Sequence, residues 1–97
     1  MLTQLRFVPI GFGNAVCVNK IYMLMAPDTA QGQRVLKEAK ATGMYIDASR
    51  RRPIKTLIVM DDNRVIGCAF SPQTTFNRVQ NATETNMSEE PPETDDE

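Results

Sequence analysis

Three consecutive arginines, Arg50-Arg51-Arg52, are the residues of this chain best suited to a recognisable chemistry. A guanidinium is planar, permanently charged, and presents its N–H donors as a fork that matches phosphate oxygens or a guanine edge. Lys20 and Lys55 are candidates to extend the patch, whereas Lys37 and Lys40 read as solubilising charges on a helix. The triplet sits in a strongly basic stretch. All eleven Lys and Arg residues lie in positions 1–80, against five acids (Asp28, Glu38, Asp47, Asp61 and Asp62), a net charge of +6. Ala82 to Glu97 holds seven acids and no base, a net charge of −7. The overall −1 is therefore the average of two opposite objects. Asymmetry of this kind points to a polyanionic partner for the basic part.

Other chemistries find little support. There is no histidine, which excludes a histidine-based triad, an imidazole metal ligand and an imidazole acid or base. Cys17 and Cys68 are isolated in apolar strand patterns and read as reduced core thiols, not as a zinc site. Asp61-Asp62 reads as a solvated hairpin turn. Gly11-Phe12-Gly13 lacks the third glycine and the following helix of a dinucleotide loop. No enzyme activity, cofactor, metal or small-molecule ligand is expected. The chain has no Trp and six Phe or Tyr, most of them in core-like positions. Tyr22 and Tyr45 are the only arguable stacking platforms, and core packing is the preferred reading of both. Single-strand binders stack bases on exposed rings, so this pattern favours a duplex held by its phosphates.

The elements that must position these residues follow from pattern and punctuation. Residues 1–80 form one small domain and 81–97 an acidic, disordered tail. Leu5 to Val8 reads as an edge strand and Gly11 to Asn14 as a tight turn. Ala15 to Met25 reads as a long or broken strand with Asn19-Lys20 as its interruption. A helix opens at Pro27-Asp28-Thr29, capped by Asp28 or Thr29. It carries Val35, Leu36 and Ala39 on its inner stripe and ends at Gly43. Met44 to Ala48 is a short strand. Pro53, which lacks an N–H, keeps the arginines in a loop or at a strand edge. Ile54 to Met60 and Arg64 to Phe70 form a hairpin across Asp61-Asp62-Asn63, and Ser71-Pro72 starts a short second helix. The fold class is α+β: a small antiparallel sheet with one main helix and a short C-terminal helix. No apolar run approaches the ~20 residues of a membrane span and no signal peptide is evident. A cytoplasmic, nucleoid-associated protein without membrane contact is expected.

Several of these segments together resemble the RemA family, the extracellular-matrix regulatory protein A family of bacteria. The resemblance is carried by Gly11-Phe12-Gly13-Asn14, Val18-Asn19-Lys20-Ile21, and Pro27 ahead of a helix containing Glu38-Ala39-Lys40. Gly43-Met44 and Ile46-Asp47-Ala48 before the arginines continue it, and it covers roughly residues 5–80. It implies a small cytoplasmic DNA-binding regulator of biofilm-matrix genes, with a fold related to the LytTR DNA-binding domain. It also implies a ring-shaped homo-oligomer that repeats its arginines around the ring. The family's early-strand arginine falls on Lys20, which keeps the charge but loses the bidentate fork. Its arginine pair falls by strict spacing on Arg52 and Pro53, with Arg51 substituting if the loop slides. The acidic tail departs from the short family pattern.

The expected function is thus a duplex DNA-binding transcriptional regulator. Lys20, Arg51 and Arg52 contact phosphates, and Arg50 and Lys55 are secondary. Ring assembly would serve both a small core and a thin binding site, because repetition raises avidity without new contacts. The alternatives are an oligomeric scaffold or adaptor for acidic protein partners, and an RNA binder. The tail either solubilises the chain or competes with DNA for the basic face.

Overall fold

The computed structural model describes residues 6–81. Six strands and two helices run in the order β1 (Phe7–Gly11), β2 (Asn14–Cys17), β3 (Ile21–Met25), α1 (Ala30–Thr42), β4 (Tyr45–Asp47), β5 (Thr56–Met60), β6 (Val65–Cys68) and α2 (Pro72–Gln80). The α+β class and both helices agree with the sequence. The expected acidic tail lies outside the described residues.

The strands form two sheets. β1 and β2 make an antiparallel hairpin, and the other four make a sheet in the order β3-β5-β6-β4. β4 runs parallel to β6, so this larger sheet is mixed and not wholly antiparallel. The reason is the α1 crossover, which returns the chain along the direction of β3 instead of reversing it.

The segment Ala15 to Met25 is broken, with its two halves in different sheets. A 3-10 turn over Val18–Lys20 makes the break. Val18 N–H donates to the Arg6 carbonyl at 2.7 Å, and Asn19 Oδ1 accepts from Arg6 N–H at 3.0 Å. The Asn19-Lys20 interruption thus ties the hairpin base and releases the chain into β3.

Helix boundaries follow local chemistry. Thr29 caps α1, its Oγ1 accepting from Gly32 N–H at 2.9 Å, which satisfies an otherwise orphaned donor. Gly32 has no room for a side chain, because a Cβ there would meet the Ala26 carbonyl. Gly43 ends α1 in the left-handed region at φ 75°. Ser71 caps α2 by accepting from Thr74 N–H at 3.2 Å, with Pro72 at the first turn.

The four-stranded sheet is the middle of three layers. Leu57 and Val65, with Val59 and Tyr45, face Val35, Leu36 and Ala39 of α1. Ile58, Cys68 and Ile66 face the other way, onto Val8, Ile10 and Val16 of the hairpin and Val79 of α2. The alternation along β5 and β6 produces this split, since successive side chains point to opposite faces. Buried hydroxyls are satisfied locally. Thr56 Oγ1 donates to the Phe70 carbonyl at 2.8 Å and Thr75 Oγ1 to the Ser71 carbonyl at 2.9 Å.

Tyr45 is the exception. Its ring lies over Gly67, where a Cβ would strike the phenol oxygen, and its buried hydroxyl has no hydrogen-bond partner. Burial first, and the Asp47 carboxylate second, push the phenol up to about 12. A buried unsatisfied hydroxyl costs roughly 1–3 kcal/mol. Tyr45→Phe should therefore keep or raise the urea unfolding midpoint. A loss of more than about 1 kcal/mol would mean that the hydroxyl does have a partner.

Candidate nucleic-acid interface

The arginines occupy a loop whose two ends are pinned to adjacent residues at the end of β6. Ala48 N–H donates to the Gly67 carbonyl at 2.8 Å, and Lys55 N–H to the Cys68 carbonyl at 2.9 Å. Between these pins, the Asp47 carboxylate organises the start of the turn. Its Oδ1 accepts from Ser49 N–H at 2.9 Å and from Ser49 Oγ–H at 2.6 Å. Ser49 itself is buried. These bonds, the side-chain one first, hold the Asp47 carboxyl below the ordinary carboxylate range.

Arg52 N–H then donates to the Ser49 carbonyl at 3.1 Å and closes a four-residue turn. Its central residues Arg50 and Arg51 have φ of 56° and 77°. Positive φ at both central positions is the signature of a type I′ turn, which normally takes Asn-Gly. A side-chain-bearing residue in the left-handed region costs roughly 1–2 kcal/mol. Two arginines carry that strain here, and strained backbone of this kind concentrates at functional sites.

A second turn meets the first. Gly11, Phe12 and Gly13 at the hairpin tip have φ of 98°, 57° and 82°. Asn14 Nδ2 donates to the Gly11 and Phe12 carbonyls at 3.2 and 3.3 Å. The Phe12 ring receives two guanidinium groups, Arg50 at 5.5 Å and Arg52 at 5.8 Å from its centroid. Each such contact is worth about 0.5–1 kcal/mol at an exposed site. One ring thus gathers the two outer arginines, while Arg51 between them is exposed. Among the described residues no ion pair engages any of the three.

The other expected site residues divide. Lys55 follows the loop at the same end of the sheet and lines a cleft of about 280 Å³ with Asp28, Ile54 and Ser71. Lys20 is not brought beside the arginines. It precedes Ile21, which pairs with Met60 at the far end of β5, whereas the arginine loop leads into Thr56 at the near end. Four strand steps, about 13 Å, separate those two ends. The hairpin repeats this polarity, with Phe12 at its tip and Cys17 at its base. Lys20 lies instead beside Asp61, Asp62 and Arg64 around a separate hollow. Arg64 pairs with Asp62 at 3.1 Å.

The aromatic residues correct the sequence-based expectation. Tyr22 is 74% exposed on the outer strand β3 and is not a core residue. Phe7 and Phe76 are also exposed, and Phe70 is the one fully buried phenylalanine among the described residues. Phe12 was missed as part of the site; its signal was an aromatic held between two turn glycines. Tyr45 does pack against the core. Among the described residues no group of three or more Cys, Asp or Glu side chains could hold a metal ion. No helix among them is long and apolar enough to cross a membrane.

A three-layer α+β domain with an arginine turn at one sheet end defines the architecture, and similarity to known proteins defines the family. The chain belongs to the RemA-like family, described as extracellular matrix regulatory protein A-like, whose model matches residues 7–79. It is similar to a Carboxydothermus hydrogenoformans protein named "Putative regulatory protein", at 38% identity over 78% of this chain and 87% of the relative. A similarly named Desulfitobacterium hafniense protein is 34% identical over 91% of this chain and 97% of its own length.

Two outcomes test the turn. The folded-state carboxyl of Asp47 is lowered, so its contribution is fully present above the unfolded value of about 4 and is lost as pH falls through the folded one. Asp47→Ala should therefore lower the thermal midpoint at pH 7, and the gap from the parent should close toward pH 2.5. A gap independent of pH would discard the carboxylate anchor. Arg51→Gly should raise stability by about 1 kcal/mol in denaturant unfolding, by relieving the positive φ. A destabilised variant would show that the turn is not strained.

Proposed function

We propose that this protein is a duplex DNA-binding transcriptional regulator that acts as a ring-shaped homo-oligomer, with extracellular-matrix genes among its targets. The observation that carries the reading is the arginine turn: three guanidinium groups on a pinned, strained loop, two gathered on Phe12 and none ion-paired among the described residues. Strain at Arg50 and Arg51 fits a need for charge at positions where glycine would fold better. Membership of the RemA-like family, and relatives named as regulatory proteins, support the regulatory role.

The separation of Lys20 from the arginines bears on how DNA is held. One subunit offers two small basic points about a strand length apart, and each alone binds weakly. A ring repeats both, so a duplex can span arginine turns of neighbouring subunits, with avidity supplied by repetition. Among the described residues the outer strands β3 and β4 each have one edge unpaired. Tyr22 and Ile46 on those strands are exposed. Free strand edges with exposed apolar side chains suit association of copies.

In this account the exposed Arg50 and Arg51 supply most of the phosphate contacts, the half-buried Arg52 exchanges the first rank it had in the sequence for Arg50's secondary one, and Lys20 is an outlying contact. Fluorescence anisotropy on a duplex, titrated with salt, separates the roles. The double change Arg50→Ala and Arg51→Ala should weaken binding at least tenfold. It should also flatten the log–log salt slope by about 0.9 for each phosphate that is no longer neutralised. Lys20→Ala should have a smaller effect. Unchanged slope in the double variant would overturn the assignment. Equal affinity for an acidic peptide of matched charge would instead favour an adaptor for protein partners.

A further inference from the structure

We propose that the acidic segment Ala82 to Glu97 docks on the arginine turn of the same molecule and competes with DNA for it. The inference rests on the reading of that turn as the DNA contact. It adds a built-in regulator to it.

The choice of target follows from how the other bases are placed. Arg64 is paired with Asp62. Lys20 shares its hollow with Asp61 and Asp62. On α1, Lys40 lies over the Tyr45 ring at 5.5 Å, and Glu38 falls among Arg34, Lys37 and Lys40. Arg78 sits over the Phe70 ring at 4.4 Å. At Arg50 to Arg52 three charges are concentrated, and Asp47, the acid two residues before Ser49, has its Oδ1 taken up by Ser49. The turn is thus the one run of three adjacent bases in the chain, and among the described residues no ion pair engages it.

Charge and length both suit the occupant. Six acids are packed into Glu89 to Glu97, around Pro91-Pro92, with no base to offset them. Adjacent carboxylates present the same bidentate acceptors to a guanidinium that a phosphate does. The chain leaves α2 at Asn81. Sixteen further residues reach up to about 50 Å when extended, more than the 35 Å longest dimension of the molecule. Tethering at that length places the acids at an effective concentration of about millimolar, so even a weak contact is populated. Arg50 and Arg51 are exposed, so salt should screen the contact, release the segment and leave the turn open to DNA.

The experiment uses the full chain with its acids neutralised: Glu84→Gln, Glu89→Gln, Glu90→Gln, Glu93→Gln, Asp95→Asn, Asp96→Asn and Glu97→Gln. Two readouts are compared with the parent. The first, without DNA, is the nuclear magnetic resonance signal of the arginine Nε–H groups and the Phe12 ring. The second is duplex affinity across a salt series. Docking predicts that neutralisation shifts Arg50, Arg52 and Phe12 signals and leaves Arg34 and Arg78 unmoved. It also predicts binding on the order of tenfold tighter at low salt, with the advantage vanishing as salt rises. Tighter binding with no shift at the turn would reduce the effect to general repulsion and overturn docking. Unchanged signals and unchanged affinity would overturn it too. If neither protein binds DNA, the DNA reading fails, while the arginine and Phe12 signals still decide the docking.

Discussion

Two neighbouring carbonyls at the end of β6, those of Gly67 and Cys68, hold both ends of the arginine loop. The site depends on that constraint. Gly67 is covered by the Tyr45 ring and Cys68 is fully buried beneath the hairpin and α2. The loop is therefore tied to the most deeply packed part of the sheet, not to a flexible margin. The Asp47 carboxylate completes the arrangement by taking both hydrogens of Ser49, and the next two residues must then turn through positive φ. Packing fixes the anchor, hydrogen bonds fix the turn, and the turn fixes three charges in one place.

Much of this was legible in the chain. Pro53 kept the arginines out of a ladder, Ser71-Pro72 and Gly43 marked helix ends, and the alternation in Ile54 to Phe70 gave the central hairpin. What was not legible depended on long-range geometry. That Lys20 and the arginines lie at opposite sheet ends follows from the Ile21–Met60 register, which no local pattern encodes. The parallel pairing of β4 with β6 follows from the α1 crossover. Phe12 reads in the sequence only as part of the Gly11 to Asn14 turn; an aromatic between two glycines marks an exposed ring, but not its cation–π partners about forty residues away. Tyr22 looked like core because an apolar strand carries no mark of being at the edge of its sheet.

The strain at Arg50 and Arg51 and the exposed Tyr22 and Ile46 of the outer strands are costs to the single chain. Asparagine and glycine would make a better turn, and polar side chains would make safer edges. The proposed role, a regulator that binds DNA and assembles with itself, would have use for both features.

The central claim is that DNA meets this protein at the arginine turn. Titrating a duplex into the labelled full chain while recording the arginine Nε–H signals tests it most directly. The account predicts that Arg50, Arg51 and Arg52 move first, together with the Phe12 ring, and that Arg34 and Arg64 stay in place. Movement confined to Arg34, or no movement at the turn at saturating DNA, would contradict it.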